Sequence, residues 1–598
     1  MASDQRGTAN AASTSTSTII IGIDFGTTYS RVAFTWSGKT EKMEVITSWD
    51  SELHLSSDEE KTPTVLAYGS KGKSTWGYAV PRDAEQVKWF KLLLIDTKDL
   101  PEEVRASAKI KAAREYLRKH NKTSIEVIAL FLRHLWNHCI QRITETIGRA
   151  LVNFSKFHIV VTLPAIWPDY ARARMREAAS VAGMLGSRLA GETELTFVSE
   201  PEAAALATLS DMEGRQDIKG SDSFVVVDCG GGTVDIISYE VVKTRPLTVK
   251  ECVKGQGGLC GAVFVDEAFS ELLKKKFTIT KWNKMSDDSR SRLLHDEWEH
   301  GIKPQFEGRE RTWAINIPWE CLDKKSLTSM NALPKVALTA NDVKGVFDPV
   351  VNKIWSMIQD QITTIKAKNA EDPKYIILVG GFGRCKYLLE SIKKRLDGPK
   401  EVLQSRGAGP WTAICRGAVI HASASNGLSS LQVQIRSRIS RASYGTTVDP
   451  EWDAKKHKKA DIKYWSENYQ SWRAKDQMEW FLKEGEDISV KHQVRRAYNM
   501  LYEIWQKTCQ PEQSIYFSTV APPSARKDKT VKKLCDIKWD TRIDVSALPT
   551  WTNPLGTVLH QLKYEIEMTS SGGSVDFAVY HNGKRQASKN VQIDYYSN

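Results

Sequence analysis

The chain has 598 residues, of which 41% are hydrophobic and 26% charged, with a formal net charge of +12. It is too long for a single hydrophobic core, so roughly two to four domains are expected, and the composition is that of an ordinary globular protein. The basic excess is diffuse; its densest run, Lys455-Lys-His-Lys-Lys459, reads as a solvated loop, and no apolar stretch approaches a bilayer span, so neither nucleic acid nor membrane is expected as a partner.

Residues 1–18 are rich in Ala, Ser and Thr and lack the apolar centre of a secretory signal; a disordered tail is expected there. Residues 19–36 read as strand, tight turn, strand: an apolar β-branched run ends at Asp24, Gly26 supplies the turn, and a second strand starts near Ser30. Residues 103–149 carry helical spacing, with Ile125, Ile128, Leu132 and Leu135 on one face. A buried strand follows at 157–163, then a helix from Pro168 to about Gly183. Residues 223–243 repeat the opening pattern of strand, acidic residue, glycine turn and strand, with Asp228 standing 204 residues after Asp24. A repeat of that size predicts two similar lobes. A third glycine turn follows a strand at Tyr375–Gly383, with a helix from about Lys386 to Leu396.

After about residue 430, short alternating segments take over: 432–439, 487–494, 514–520, 562–568 and 575–580, with turns at Gly572-Gly573 and Asn582-Gly583. This predicts a β-rich domain, with one helical insert near Arg495 to Lys507. The nine cysteines include no Cys-x-x-Cys pair, and several, such as Cys229 and Cys415, sit in apolar runs. Free buried thiols in a reducing compartment, cytoplasmic or nuclear, are the expectation.

A hairpin with Gly and Thr in its turn offers several backbone N–H groups and hydroxyls on one side, a concavity suited to phosphate oxygens. An aspartate just before the turn can hold a hydrated Mg²⁺ against the same phosphates. Two such hairpins, led by Asp24 and Asp228, could clamp a triphosphate from both sides while the third glycine turn holds the base. This is neither a P-loop, since no Gly-x-x-x-x-Gly-Lys-Ser/Thr occurs, nor a dinucleotide fingerprint, since the glycines join strand to strand.

These motifs resemble a known family. Gly22-Ile-Asp-Phe-Gly-Thr-Thr-Tyr-Ser30 is similar to the first phosphate motif of the 70-kDa heat-shock proteins, Val227-Asp-Cys-Gly-Gly-Gly-Thr-Val-Asp235 to their second, and Leu378-Val-Gly-Gly-Phe-Gly-Arg384 to their adenosine motif. Val160–Ala165 and Ser199–Ala205 resemble the first connecting segment, and Cys415–Val419 the second. The wording of Gly257-Gly-Leu-Cys-Gly261 and the tryptophan-rich character are similar to the divergent heat shock 70 kDa protein 12-like subgroup.

The resemblance implies an α/β chain: a two-lobed actin-like ATPase domain, a duplicated ribonuclease-H-like unit, over 19–425, then a β-rich domain over 431–598 resembling a β-sandwich. It implies ATP and ADP as ligands, slow Mg²⁺-dependent hydrolysis, and lobe closure coupled to the C-terminal domain. By position, Asp24 and Asp228 would hold Mg²⁺ largely through water. Gly26, Thr27, Thr28 and Tyr29 would contact phosphates from one side, and Gly230, Gly231, Gly232 and Thr233 from the other. Thr233 and Asp235 would orient the attacking water, with Glu200 near the metal. Lys91 is the candidate for the catalytic lysine and Lys88 its rival. Gly257, Gly258, Glu299, Lys303, Gly380, Gly381 and Arg384 would enclose the rest of the nucleotide. Trp411 and Phe382 stand where the family has Asp and Ser. His295 and His300 read as surface residues of a helix.

A polypeptide client or co-chaperone is the partner the resemblance implies. The family's helical lid is not expected, and the linker Leu431–Ile435 lacks the usual apolar run ending in Asp. Two other readings stay open: a non-hydrolysing nucleotide sensor or scaffold on the same fold, and a sugar or metabolite kinase, for which no acidic base motif is evident.

Overall fold

The structure is a computed structural model that describes residues 17–37, 42–51, 59–69, 73–81, 84–165, 167–212, 217–322, 335–398, 400–404, 409–426, 433–489, 492–571 and 574–592. Most of the expected N-terminal tail, the start of the linker and the Gly572-Gly573 turn lie outside the described residues.

The apolar run Thr18–Phe25 forms a strand that pairs antiparallel with Tyr29–Trp36 and parallel with Lys156–Leu163. Glu194–Ser199 extends this sheet beyond Lys156–Leu163. The second lobe repeats the plan. Ser223–Cys229 pairs antiparallel with Val234–Thr244 and parallel with Tyr375–Val379, and the sheet continues through Leu247–Gly258. The two hairpins match residue for residue: Asp24 stands opposite Arg31 in the first, and Asp228 opposite Asp235 in the second.

Each lobe has its own core. In the first, helix Ser124–Ile147 buries Ile128, Leu132 and Leu135 against the sheet, capped at its start by a reciprocal Thr123–Glu126 pair. In the second, the 30-residue helix Ala340–Asn369 lies over the sheet, with Ile354, Ile358 and Ile365 fully buried. A third apolar cluster takes residues from both sheets, Ile20 and Val160 with Phe224 and Val226, and joins them beneath the cleft. Its centre is the crossing of helices Glu200–Asp211 and Gly409–Ser425. Gly417 sits at the crossing point, where a Cβ would run into the carbonyl of Ala203, so only glycine permits this approach.

The C-terminal region is a β-sandwich. One sheet orders Gln477–Leu482, Ser443–Val448, Glu512–Ser518 and Lys532–Lys538. The other orders His492–Glu503, Val558–Ser571, Ser574–His581 and Lys584–Gln592, with Thr550–Thr552 on Val558–Ser571. Ile515, Ile537, Leu562, Ile566 and Phe577 fill the space between them. The helical insert expected near Arg495–Lys507 is instead part of the long strand His492–Glu503, paired along its length with Leu559–Ser570. Val494, Tyr498, Met500 and Tyr502 alternate onto the core, a period of two that outweighs the helix-favouring composition. The 487–494 segment is divided: Asp487–Ser489 pairs with Gln434–Ile439, while His492 begins the sandwich strand. Gln434–Ile439 itself adds to the second lobe, parallel to Leu247–Gly258, so that sheet runs on into the chain that leads to the sandwich.

Candidate functional site

Between the lobes lies a cavity of about 470 Å³, within the size range of ligand clefts. The first hairpin contributes Gly26, Thr27, Thr28 and Tyr29, and the second contributes Gly230, Gly231, Gly232 and Thr233. The two turns meet face to face: a Cβ on Gly231 would strike Thr28, and one on Gly232 would strike Thr27. Glycine at both positions therefore lets the backbone of one turn lie directly against the threonine side chains of the other. The third turn closes the wall with Gly380, Gly381, Phe382 and Arg384. Gly380 has φ +79, and a Cβ there would occupy the space of the Asp228 carboxylate.

Asp24 and Asp228 end their apolar strands side by side at the floor, each 2% exposed. Glu200 opens the helix that leaves Ser199 and points to the same floor, where its carboxylate accepts from Lys91 Nζ at 2.6 Å. Lys91 is 1% exposed, in a short helical turn at Phe90–Leu94, with its ammonium 5.2 Å above the Trp167 ring. The rival Lys88 lines the neighbouring cavity instead. Asp235 is buried behind Thr233 and does not line the cleft. Gly257 and Gly258 do not line it either; they end a strand tied to Asp235 and Val234 of the second hairpin, one layer behind.

The floor carries more negative charge than its cations balance. Asp24, Asp228, Asp235 and Glu200 gather with Arg31 and Lys91, leaving two carboxylates without a bonded cation. Asp228 Oδ1 and both Asp235 oxygens have no well-formed hydrogen bond among the described residues. Burial first, then repulsion from Glu200, pushes Asp228 well above the usual carboxylate range and Asp235 up to about 8. Burial likewise raises Glu200, against the pull of Lys91.

This excess, with the Asp228 side chain lining the cleft and one of its oxygens unpartnered among the described residues, fits a divalent cation. Among the described residues no three metal-binding side chains converge into a cage. A Mg²⁺ that keeps waters and takes phosphate oxygens requires none.

At the upper rim, residues Leu293–Ile302 are wound as a π-helix, a geometry common at functional sites. Glu299 accepts from Lys303 Nζ at 2.7 Å, Lys303 also bonds Asp266 at 2.7 Å, and both Glu299 and Lys303 border the cleft. His300, expected only on the surface, borders it too, as does the adjoining cavity of about 600 Å³ that opens beyond Tyr29 and Lys61.

Arg31 and Lys61 are cleft residues that sequence reasoning missed. Arg31 donates to Asp24 Oδ2 at 2.8 Å and lies 5.2 Å from the Trp411 ring. Lys61 Nζ lies 3.6 Å above Trp411 and 4.4 Å from Tyr29. Its pKa is lowered to about 8 by burial, then by Arg31. Burial pushes the Tyr29 hydroxyl up to about 12, with Glu299 adding to it. A charged residue inside an otherwise apolar strand was a readable sign at Arg31; Lys61, in a run of charges before Pro63, carried none.

Two lobes built on one repeated hairpin sheet, joined by crossed helices and closing glycine turns over paired aspartates, define the actin-like nucleotide-binding fold. The chain belongs to the Hsp70 protein family, whose model matches residues 20–448; a second model, described only as a domain of unknown function, matches 438–548. Heat shock 70 kDa protein 12B of Homo sapiens is 24% identical over 571 residues, covering 80% of this chain and 78% of that protein. Heat shock 70 kDa protein 12A of Mus musculus is 23% identical and that of Homo sapiens 22%, each over 530 residues and 73% of both chains. The chain falls in this divergent heat shock 70 kDa protein 12-like subgroup, and the family homology points to ATP binding.

Proposed function

We propose that the protein binds ATP and ADP in the interlobe cleft and hydrolyses ATP slowly with Mg²⁺, closing the lobes and shifting the β-sandwich. The observation that carries this is the facing pair of glycine turns over an orphaned Asp228 carboxylate. Thr27, Thr28 and Tyr29 on one side and Gly230–Thr233 on the other bind the phosphates. Glu299, Lys303, Gly380, Gly381 and Arg384 enclose the nucleoside. Asp228, with Asp24 beside it, would hold a hydrated Mg²⁺, which would supply neutralisation of phosphate charge; Thr233, with Asp235 behind it, would set the direction of the attacking water, and Lys91, anchored by Glu200, offsets the charge that develops on the phosphoryl oxygens. The sandwich is the part of the chain open to a polypeptide client or co-chaperone.

A second reading, a nucleotide sensor without turnover, is favoured by one feature: Asp24 is already bonded to Arg31. Calorimetric ADP and ATP titrations with Mg²⁺, followed by single-turnover hydrolysis, separate the two. Wild type should bind both and turn over ATP, and Asp228→Asn should lose ~10- to 100-fold of its Mg²⁺-dependent affinity for ATP together with turnover. Binding without turnover in wild type selects the sensor; no binding removes both readings.

A further inference from the structure

We infer that Arg31, with Lys61 and Arg384 around the Trp411 ring, is a built-in phosphate-binding group that lets the cleft hold a nucleoside diphosphate without a divalent cation. The inference rests on the nucleotide reading above and concerns how the charge of the ligand is met.

The two hairpins are built alike, and the difference between them falls at one register position. Opposite Asp228 the second hairpin carries Asp235; opposite Asp24 the first carries Arg31. The second hairpin therefore carries two buried carboxylates, of which Asp228 alone lines the cleft, and the first carries an ion pair. A cation requirement on the second side coexists with a resident cation on the first.

Arg31 is 7% exposed and lines the cleft. One edge of its guanidinium is held by Asp24 through Nη1, and the group lies 5.2 Å from the Trp411 ring, so the fork is oriented before any ligand arrives. Its Nε is buried with no hydrogen-bond partner among the described residues. The salt bridge to Asp24 uses Nη1 alone, and the Arg31 side chain as a whole lines the ligand-sized cavity.

The neighbours point the same way. Lys61 Nζ and the Arg384 guanidinium lie 3.6 Å and 5.0 Å from the same ring, and both line the cleft. Neither has a salt-bridge partner among the described residues. Three cations converge on one tryptophan; Asp24 bonds one of them, while Glu59, Glu60 and Glu299 act on the cluster from a distance without forming an ion pair to it among the described residues, which leaves its donors to an incoming anion. A diphosphate lying between the two hairpins, with its nucleoside against the third turn and Arg384 where the two join, supplies that anion.

The test is ADP binding by calorimetry in Mg²⁺ and in EDTA, for wild type, Arg31→Gln and Lys61→Gln, with folding checked by circular dichroism. Wild type should keep its affinity within about threefold on removal of Mg²⁺. Arg31→Gln should lose ~10- to 100-fold in EDTA, the value of a charge-assisted hydrogen bond, and recover most of it in Mg²⁺. Lys61→Gln should show the same selective loss, which keeps the test decisive if Arg31→Gln does not fold. Wild-type affinity falling more than about tenfold in EDTA, or variants losing equally in both conditions, overturns the inference while leaving nucleotide binding intact. Absence of ADP binding under either condition overturns both.

Discussion

Lys61 shows how one side chain's ionisation reports on the ligand. Arg31, Arg384, Glu59 and Glu299 are the charged groups around it, and burial with the two arginines holds its pKa near 8 against the ordinary 10.5. The unfolded chain therefore binds more protons than the folded one between about pH 8 and 10.5, so the contribution of this group to stability rises with pH across that window. Affinity for an anion moves the other way, falling as pH passes 8 and the ammonium is lost. Nucleotide binding near pH 8.5 should thus take up a fraction of a proton, at most ~0.8 for one group half a unit above its pKa. Calorimetry in two buffers of different ionisation enthalpy reads this directly. The uptake should vanish in Lys61→Met; buffer-independent heats in wild type would refute it.

At the scale of elements, the crossing of Glu200–Asp211 with Gly409–Ser425 ties the floor of the cleft to the shared core. Gly417→Ala would drive a methyl group into the Ala203 backbone, which cannot retreat without moving Glu200 three residues away. A loss of about 2–3 kcal/mol is expected from such overpacking. Gly345, in the helix Ala340–Asn369 with open space around it, is the matched control: Gly345→Ala should stabilise by about 1 kcal/mol. Urea denaturation of the two variants measures both signs.

The hairpins and third turn were legible because their signal is local: continuous apolar, β-branched runs ended by a glycine turn, with an acidic residue before it in the two hairpins. Glu299 and Lys303 could be assigned through family resemblance, although the π-helical winding that presents them leaves no trace in spacing. Arg31, Lys61 and Trp411 were not legible as a group, because they come from three distant segments and meet only through packing of the lobes. The strand at His492–Glu503 was misread because Ala, Met, Leu and Arg favour helix in isolation, while pairing with Val558–Ser571 decides the outcome.

In the whole molecule, the segment leading to the sandwich is fastened by charge rather than by an apolar linker. Arg438 grips Glu202 through two bonds at 2.9 Å and 2.6 Å, and Glu202 stands two residues after Glu200 on the same helix. Burial alone would raise the Glu202 carboxyl; the Arg438 fork and His421 outweigh it and hold the group well below the usual carboxylate range. Arg441 and the Ile439 N–H close on the buried Glu251 in the adjoining strand. Removing one partner of such a pair leaves an uncompensated buried charge, so Arg438→Met should lower stability by about 3 kcal/mol. It should also raise amide exchange across Gln434–Ile439 more than elsewhere in the second lobe. Uniform exchange in the variant would mean that the strand is held by its ladder alone.

The ladder has a consequence of its own. Gln434–Ile439 covers the outer side of Leu247–Gly258, and Asp487–Ser489 in turn covers Gln434–Ile439. A chain stopped at residue 425 would leave Leu247–Gly258 with a row of unpaired N–H and C=O groups, a template for pairing with another molecule. The nucleotide-binding lobes are therefore insulated from self-association by residues that follow them in the chain, and the boundary between fold and appendage runs through a hydrogen-bonded sheet.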